Sequence, residues 1–172
     1  MRRIRYSVAM SLDGFIAGPN GEIDWIIEDS EIDFTEMLAG FDTLLMGRKT
    51  YDTAMSMGPG GMPPMKAVVA SRTLRAEDHP DVTIISENLH EAVNRLRSEP
   101  GKDIWLFGGG ELFRNLLDAG LVDGVETAII PVVLGGGIPM LPHGGRRATL
   151  KLNKHRLYPK SGIMILDYDV VR

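Results

Sequence analysis

Asp103-Ile104-Trp105-Leu106-Phe107-Gly108-Gly109-Gly110-Glu111-Leu112-Phe113 joins a short apolar run, three consecutive glycines and the start of an amphipathic helix over 111–117. The pattern is a strand, a turn without side chains and a helix N-terminus. Losing Cβ three times in a row lets a flat or charged ligand approach the backbone closely. The N–H groups that open the following helix favour an anion at the same place. One glycine here would need no more than a tight turn at positive φ; three in succession point to a nucleotide site. The dinucleotide fingerprint G-x-G-x-x-G is not met, because Phe113 stands where its third glycine should be. The site is therefore of another kind.

The rest of the chain bounds what that site belongs to. Its 172 residues are read as one domain, 1–172, with a single buried core. An apolar fraction of 44% and a charged fraction of 24% are ordinary for a globular protein. A net charge of −4 argues against a general nucleic-acid surface, though not against a local basic pocket for one phosphate. There is no cysteine, so disulfides, thiolate metal sites and cysteine nucleophiles are excluded. His79, His90, His143 and His155 stand apart, with no zinc spacing, and are read as surface or structural; no metal is expected. No apolar run reaches the ~18 residues of a bilayer span, and no signal-peptide core follows Met1-Arg2-Arg3-Ile4, so a cytoplasmic location is expected.

Strands are expected over 4–10, 43–46, 67–70, 82–85, 104–107 and 125–133, the last interrupted by Pro131, and at about 149–157 and 162–171. Helices are expected over 30–39, capped by Ser30 or Asp29 with Ile32, Phe34, Met37 and Leu38 as the buried stripe, and over 48–54, 89–97 and 111–117. The loop 11–21 carries Phe15 and Ile16, which a purely solvated loop has little use for, so it is expected to fold over something. Short strands without alternation, separated by helices, indicate parallel βαβ units buried on both faces. The fold expected is α/β: a three-layer α/β/α arrangement around a mixed, mostly parallel sheet of about eight strands, antiparallel at the C-terminus. Ligands then bind at the carboxyl ends of the strands, where the informative turns lie.

Two of those turns are basic. Met46-Gly47-Arg48-Lys49-Thr50-Tyr51 leaves a buried strand and opens a helix, combining two cations with backbone donors. Ser71-Arg72-Thr73 adds a hydroxyl and a third cation just past another strand. Together with the triple glycine they suit a ligand carrying a diphosphate and one further phosphate. A kinase or NTPase is excluded, since G-x-x-x-x-G-K-[ST] is absent.

The order Ala9…Asp13-Gly14…Ile16…Trp25, Met46-Gly47-Arg48-Lys49-Thr50-Tyr51, Ser71-Arg72 and Gly108-Gly109-Gly110-Glu111-Leu112 resembles dihydrofolate reductase. Ser11-Leu12-Asp13-Gly14 and Ile129-Ile130-Pro131-Val132-Val133-Leu134-Gly135-Gly136-Gly137 resemble more specifically the C-terminal reductase domain of the riboflavin-biosynthesis deaminase-reductase, in a stand-alone form. The resemblance spans about 4–170 and implies bound NADPH. It places Ala9 and Ile16 on the nicotinamide carboxamide through their backbones, with 13–21 as a mobile lid. It places Gly47, Arg48, Lys49 and Thr50 on the pyrophosphate and 2′-phosphate, and Ser71 and Arg72 around the 2′-phosphate. Gly108, Gly109, Gly110, Glu111 and Leu112 would cradle the pyrophosphate, with a cis Gly108–Gly109 peptide.

The activity implied is hydride transfer to a C=N or C=O carbon of a small heterocycle, with an acidic residue supplying or organising the proton. Asp29 and Asp33 are the candidates after Trp25, four residues apart and on one face if the helix starts early enough. Three functions stay open: a riboflavin-type reductase acting on a ribosylaminopyrimidine, a dihydrofolate reductase, and a non-catalytic NADPH sensor. The first needs donors for a ribose phosphate, for which Arg146, Arg147 and Lys151 are available. The sensor reading predicts that Asp29 and Asp33 both face solvent. Met55, Met57, Met62 and Met65 suit either an adaptable cleft wall or core filling. The apolar strand 125–133 offers a surface for a homodimer.

Overall fold

In the computed structural model, which describes all 172 residues, the N-terminal run Ile4–Ser11 (β1) lies inside an eight-stranded sheet. Its partners come from far along the chain. β6 (Asp103–Gly108) pairs with it in parallel, Ile4 opposite Ile104, and β7 (Gly124–Ile130) pairs in parallel on the other side, Ala9 opposite Ala128. β3 (Phe41–Gly47), β4 (Lys66–Ala70) and β5 (Val82–Ile85) continue the parallel part beyond β6. β10 (Ile163–Val171) and β9 (Thr149–Tyr158) close the other side as an antiparallel pair. The order is β5-β4-β3-β6-β1-β7-β10-β9, the mixed sheet expected.

The strands lack alternation because both faces are covered. On one face Tyr6, Leu45, Val68 and Leu106 pack against α3 (Leu89–Ser98) and α4 (Gly110–Asp118), and Tyr6 stacks on Phe113 at 4.0 Å between ring centroids. On the other, Leu44, Met46, Val69 and Trp105 meet Tyr51 of α2 (Arg48–Ser56), with α1 (Phe34–Ala39) beside them through Met37 and Leu38. A third, smaller core of Ile130, Tyr158 and Ile163 is covered by Trp25, Ile26 and Ile32.

Four expectations are corrected. The helix placed at 30–39 is only α1, because the Asp33 carboxylate accepts the Glu36 N–H at 3.0 Å and caps it there; Phe34 is 53% exposed and Ile32 precedes the helix. Asp29 and Asp33 therefore share no helix face. The strand expected to reach Val133 ends at Ile130, since Pro131 has no N–H for the ladder. That strand is paired along both edges, so a subunit could meet it only through its face; the edges of the eight-stranded sheet are β5 and β9. The loop 11–21 holds a strand, β2 (Phe15–Ala17), paired antiparallel with β8 (Ile138–Pro139), so this part of the expected mobile lid folds over that segment. Every peptide bond is trans, Gly108–Gly109 included, and the reversal is made by Gly109 at φ +95°.

Candidate active site

The connections that leave β4, β3, β6, β1 and β7 all open at the same end of the sheet, one strand spacing of about 4.8 Å apart. Those that leave β3 and β6 carry the helices whose N-termini the sequence singled out. α2 begins at Arg48 with Gly47 as N-cap, and α4 begins at Gly110 with Gly109 as N-cap; neither cap offers a side chain to the first-turn N–H groups. β3 and β6 are neighbours, so the two uncapped N-termini lie side by side.

The glycines explain how closely they approach. A Cβ on Gly108 would come within 2.9 Å of Thr50 Cγ2, and one on Gly109 within 3.8 Å of the Gly47 nitrogen. Gly110 faces the carbonyls of Pro139 and Met140 and the ring of Pro142, each 3.1 Å from where its Cβ would sit. Gly108 and Gly110 are thus required by protein packing and Gly109 by its φ. Leu112 is buried with its side chain in the core, so it can offer a ligand only its backbone, and the Glu111 side chain is exposed.

The next connection supplies charge. Arg48 donates from Nη1 to Thr73 Oγ1 at 2.5 Å and from Nε to Asp52 Oδ2 at 3.3 Å. Ser71 is buried, and its Oγ accepts the N–H groups of Thr73 and Leu74 at 3.2 and 3.1 Å, so it fixes the turn. Lys49 and Arg72 are exposed beside Arg48 and Ser71 along the chain, and Thr50 is half-buried. The structure therefore brings Gly47–Thr50, Gly108–Leu112 and Ser71–Arg72 to one end of three adjacent strands. This donor set fits an extended phosphorylated dinucleotide: two helix N-termini for a diphosphate and arginines for a terminal phosphate.

Ala9 and Ile16 lie further along the same end. Ala9 packs against the Ile130–Tyr158–Ile163 core and Ile16 is the middle residue of β2. Beyond them, between residues 27–34 and the β9–β10 turn, a cavity of about 710 Å³ is lined by Ile27, Glu28, Asp29, Ser30, Ile32, Phe34, Lys160 and Ser161. Asp29 is 5% exposed. Its Oδ1 accepts the Glu31 N–H at 2.9 Å, while Oδ2 is buried with no hydrogen-bond partner of normal geometry. The nearby Ser161 hydroxyl and the Glu31 N–H hold this carboxyl below the usual range against desolvation, with Lys160 adding its charge. Asp29 is consequently a carboxylate at neutral pH, an acceptor rather than a proton donor.

The two acidic candidates separate cleanly. Asp33 is exposed and occupied as a helix cap, whereas Asp29 is buried in a cavity with an unsatisfied oxygen. The cations proposed for a sugar phosphate lie elsewhere: the Arg146 N–H donates to Asp118 behind α4, and Lys151 stands opposite Asp169. Lys160 lines the Asp29 cavity instead, and sequence reasoning missed it together with Ser161. The Pro159-Lys160-Ser161-Gly162 turn was visible in the sequence; its position against Asp29 was not.

A family model described as the RibD C-terminal domain matches residues 2–163. The chain belongs to the RibD C-terminal domain family. Within reach of this RibD-type domain in sequence is YyaP of Bacillus subtilis (strain 168), an uncharacterized protein, 39% identical over 179 residues that cover 97% of this chain and 94% of YyaP. The fold is shared with a Shewanella sp. PV-4 protein assigned provisionally to riboflavin biosynthesis, at TM-score 0.86 and 23% identity over 99% of both chains. It is shared as well with the Thermotoga maritima diaminohydroxyphosphoribosylaminopyrimidine deaminase/5-amino-6-(5-phosphoribosylamino)uracil reductase, at TM-score 0.74 and 16% identity. That match covers 99% of this chain and 57% of the Thermotoga chain. By family, this RibD-type domain is reductase-like.

Proposed function

We propose that the protein is an NADPH-dependent reductase of the riboflavin-pathway type, transferring hydride to a C=N or C=O carbon of a small sugar-bearing heterocycle. The reading rests on one observation above the others: two uncapped helix N-termini, α2 and α4, set side by side at the carboxyl ends of adjacent strands, with Arg48 and Arg72 nearby. NADPH, when bound, would supply the hydride. The chain would hold its diphosphate through the backbone of Gly47–Thr50 and Gly108–Leu112 and its 2′-phosphate through Arg48 and Arg72. Ala9 and Ile16 would face the nicotinamide through their backbones.

On the substrate side Asp29 is the group that acts. Its Oδ2 accepts an N–H from the substrate and orients the acceptor carbon, and the apolar lining of Ile27, Ile32 and Phe34 restricts water. Burial of Asp29 also counts against a purely sensing role, which called for both carboxylates in solvent. No helix is long and apolar enough to cross a membrane, and we place the protein in the cytoplasm.

We also propose a homodimer, built on β9 and β10 where they extend beyond α3 and α4 on the same side of the sheet. The register turns Met164, Tyr168 and Val170 of β10 to the same side as Leu157, Leu152 and Leu150 of β9, and these three leucines are 52%, 47% and 40% exposed.

The deciding experiment follows nicotinamide absorbance with purified protein, NADPH and two substrate sets, dihydrofolate and ribosylaminopyrimidine phosphates. Oxidation with the ribosylaminopyrimidines and little with dihydrofolate is expected. NADPH binding without turnover of either set would leave the sensor in place of the reductase.

A further inference from the structure

Asp13 lies in the Ser11-Leu12-Asp13-Gly14 stretch, is exposed to solvent, and yet has both carboxylate oxygens engaged. Oδ1 accepts the Leu134 N–H at 3.1 Å and Oδ2 accepts the Gly135 N–H at 2.7 Å. These amides belong to the connection after β7, more than a hundred residues away. Around this contact the two connections are sewn together. The Leu12 N–H donates to the Val132 carbonyl at 2.8 Å, the Met140 N–H to the Gly14 carbonyl at 2.9 Å, and β2 pairs with β8. Gly137 has no room for a side chain, because its Cβ would run into the Ala17 carbonyl oxygen.

The backbone contacts lie on either side of Gly135-Gly136-Gly137, a segment with the greatest conformational freedom to lose on ordering. Asp13 alone grips its start with a side chain. An ionised carboxylate accepting two amides is stronger than a neutral acceptor would be. The Ser11 hydroxyl, which also accepts the Phe15 N–H at 2.9 Å, and the two amides hold the Asp13 carboxyl below its usual range, so the grip persists at neutral pH.

We propose that Asp13 is a positioning residue: its carboxylate latches the 11–17 connection to the 131–140 connection and so fixes the backbone of Ile16 against the nicotinamide end of the cofactor. The latch itself is a property of the free protein; the positioning role rests on the NADPH reading above.

The test compares wild type with Asp13→Asn and Asp13→Ala in three measurements. Hydrogen exchange of the individual Leu134 and Gly135 amides should quicken about tenfold in Asp13→Ala, the scale of one charge-assisted hydrogen bond at an exposed site, with Asp13→Asn between. NADPH release followed by stopped flow should quicken in the same order. The melting temperature should move little, because the core is untouched. Unchanged exchange in both variants would overturn the latch. Faster exchange with wild-type NADPH release and wild-type kcat/KM would overturn the positioning role. A wild-type chain that binds no NADPH at all, yet shows the exchange effect, would overturn the positioning role through the cofactor reading and leave the latch standing, so the two failures are told apart.

Discussion

A buried carboxylate with a free oxygen is the residue-scale feature on which the chemistry turns. Asp29→Asn keeps the shape and removes the charge, so kcat/KM should fall about ten- to a hundredfold, the scale of one lost charge-assisted hydrogen bond to the substrate, with folding retained. The Ser161 hydroxyl and the Glu31 N–H depress the Asp29 pKa, so its charged form survives to lower pH than an ordinary carboxylate. The rate should therefore stay level from neutral pH downward and fall only below about 3.9. A pH–rate profile that dropped between pH 6 and 7 would refute the role. The same sign holds for stability: the contribution of a depressed carboxyl is present above its unfolded pKa and lost as pH falls through the folded one. The sequence narrowed the choice to Asp29 and Asp33 but could not decide it. Which one caps a helix depends on where the chain turns toward the sheet, and that is set by Ile32 packing on a core built from residues 130–163.

Among the elements, the helix N-termini were the most legible, because their cues are local. Gly47 and Gly109 mark the points where strands end and helices begin; α2 starts at Arg48 as expected, and α4 starts at Gly110, one residue before the expected 111. The turn conformation was less so, since three glycines permit several reversals and the chain uses Gly109 at φ +95°, ψ 104° with trans peptides. An L-residue rarely adopts that conformation. Gly109→Ala should cost about 1–3 kcal/mol in denaturant unfolding and weaken NADPH in a titration by disturbing the α4 amides. A variant of wild-type stability and affinity would mean that the turn is slack. β2 and β8 were not legible at all. They are three and two residues long, and neither is a strand without the other.

For the whole molecule, fold class and sheet composition could be read from runs of buried strands, whereas strand order could not. The apolar stretch after Asp123 reads equally as an edge or a centre, and only pairing to β1 and β10 makes β7 internal. The exposed leucines of β9 then become the informative surface. Leu150→Lys with Leu152→Lys should convert the proposed homodimer to a monomer in sedimentation while leaving the fold intact. A wild-type protein that sediments as a monomer at high micromolar concentration would remove the dimer.

The position of β1 has a consequence for how the protein is made. β1 is flanked by β6 and β7, both of which follow it in synthesis, and the Ile4 N–H waits for Asp123, 119 residues later. At roughly 5–20 residues per second, that is about 6–24 s before this apolar strand can be paired on both sides. Synthesis rate and chaperone supply, rather than final stability, should then govern how much of the chain reaches the native sheet.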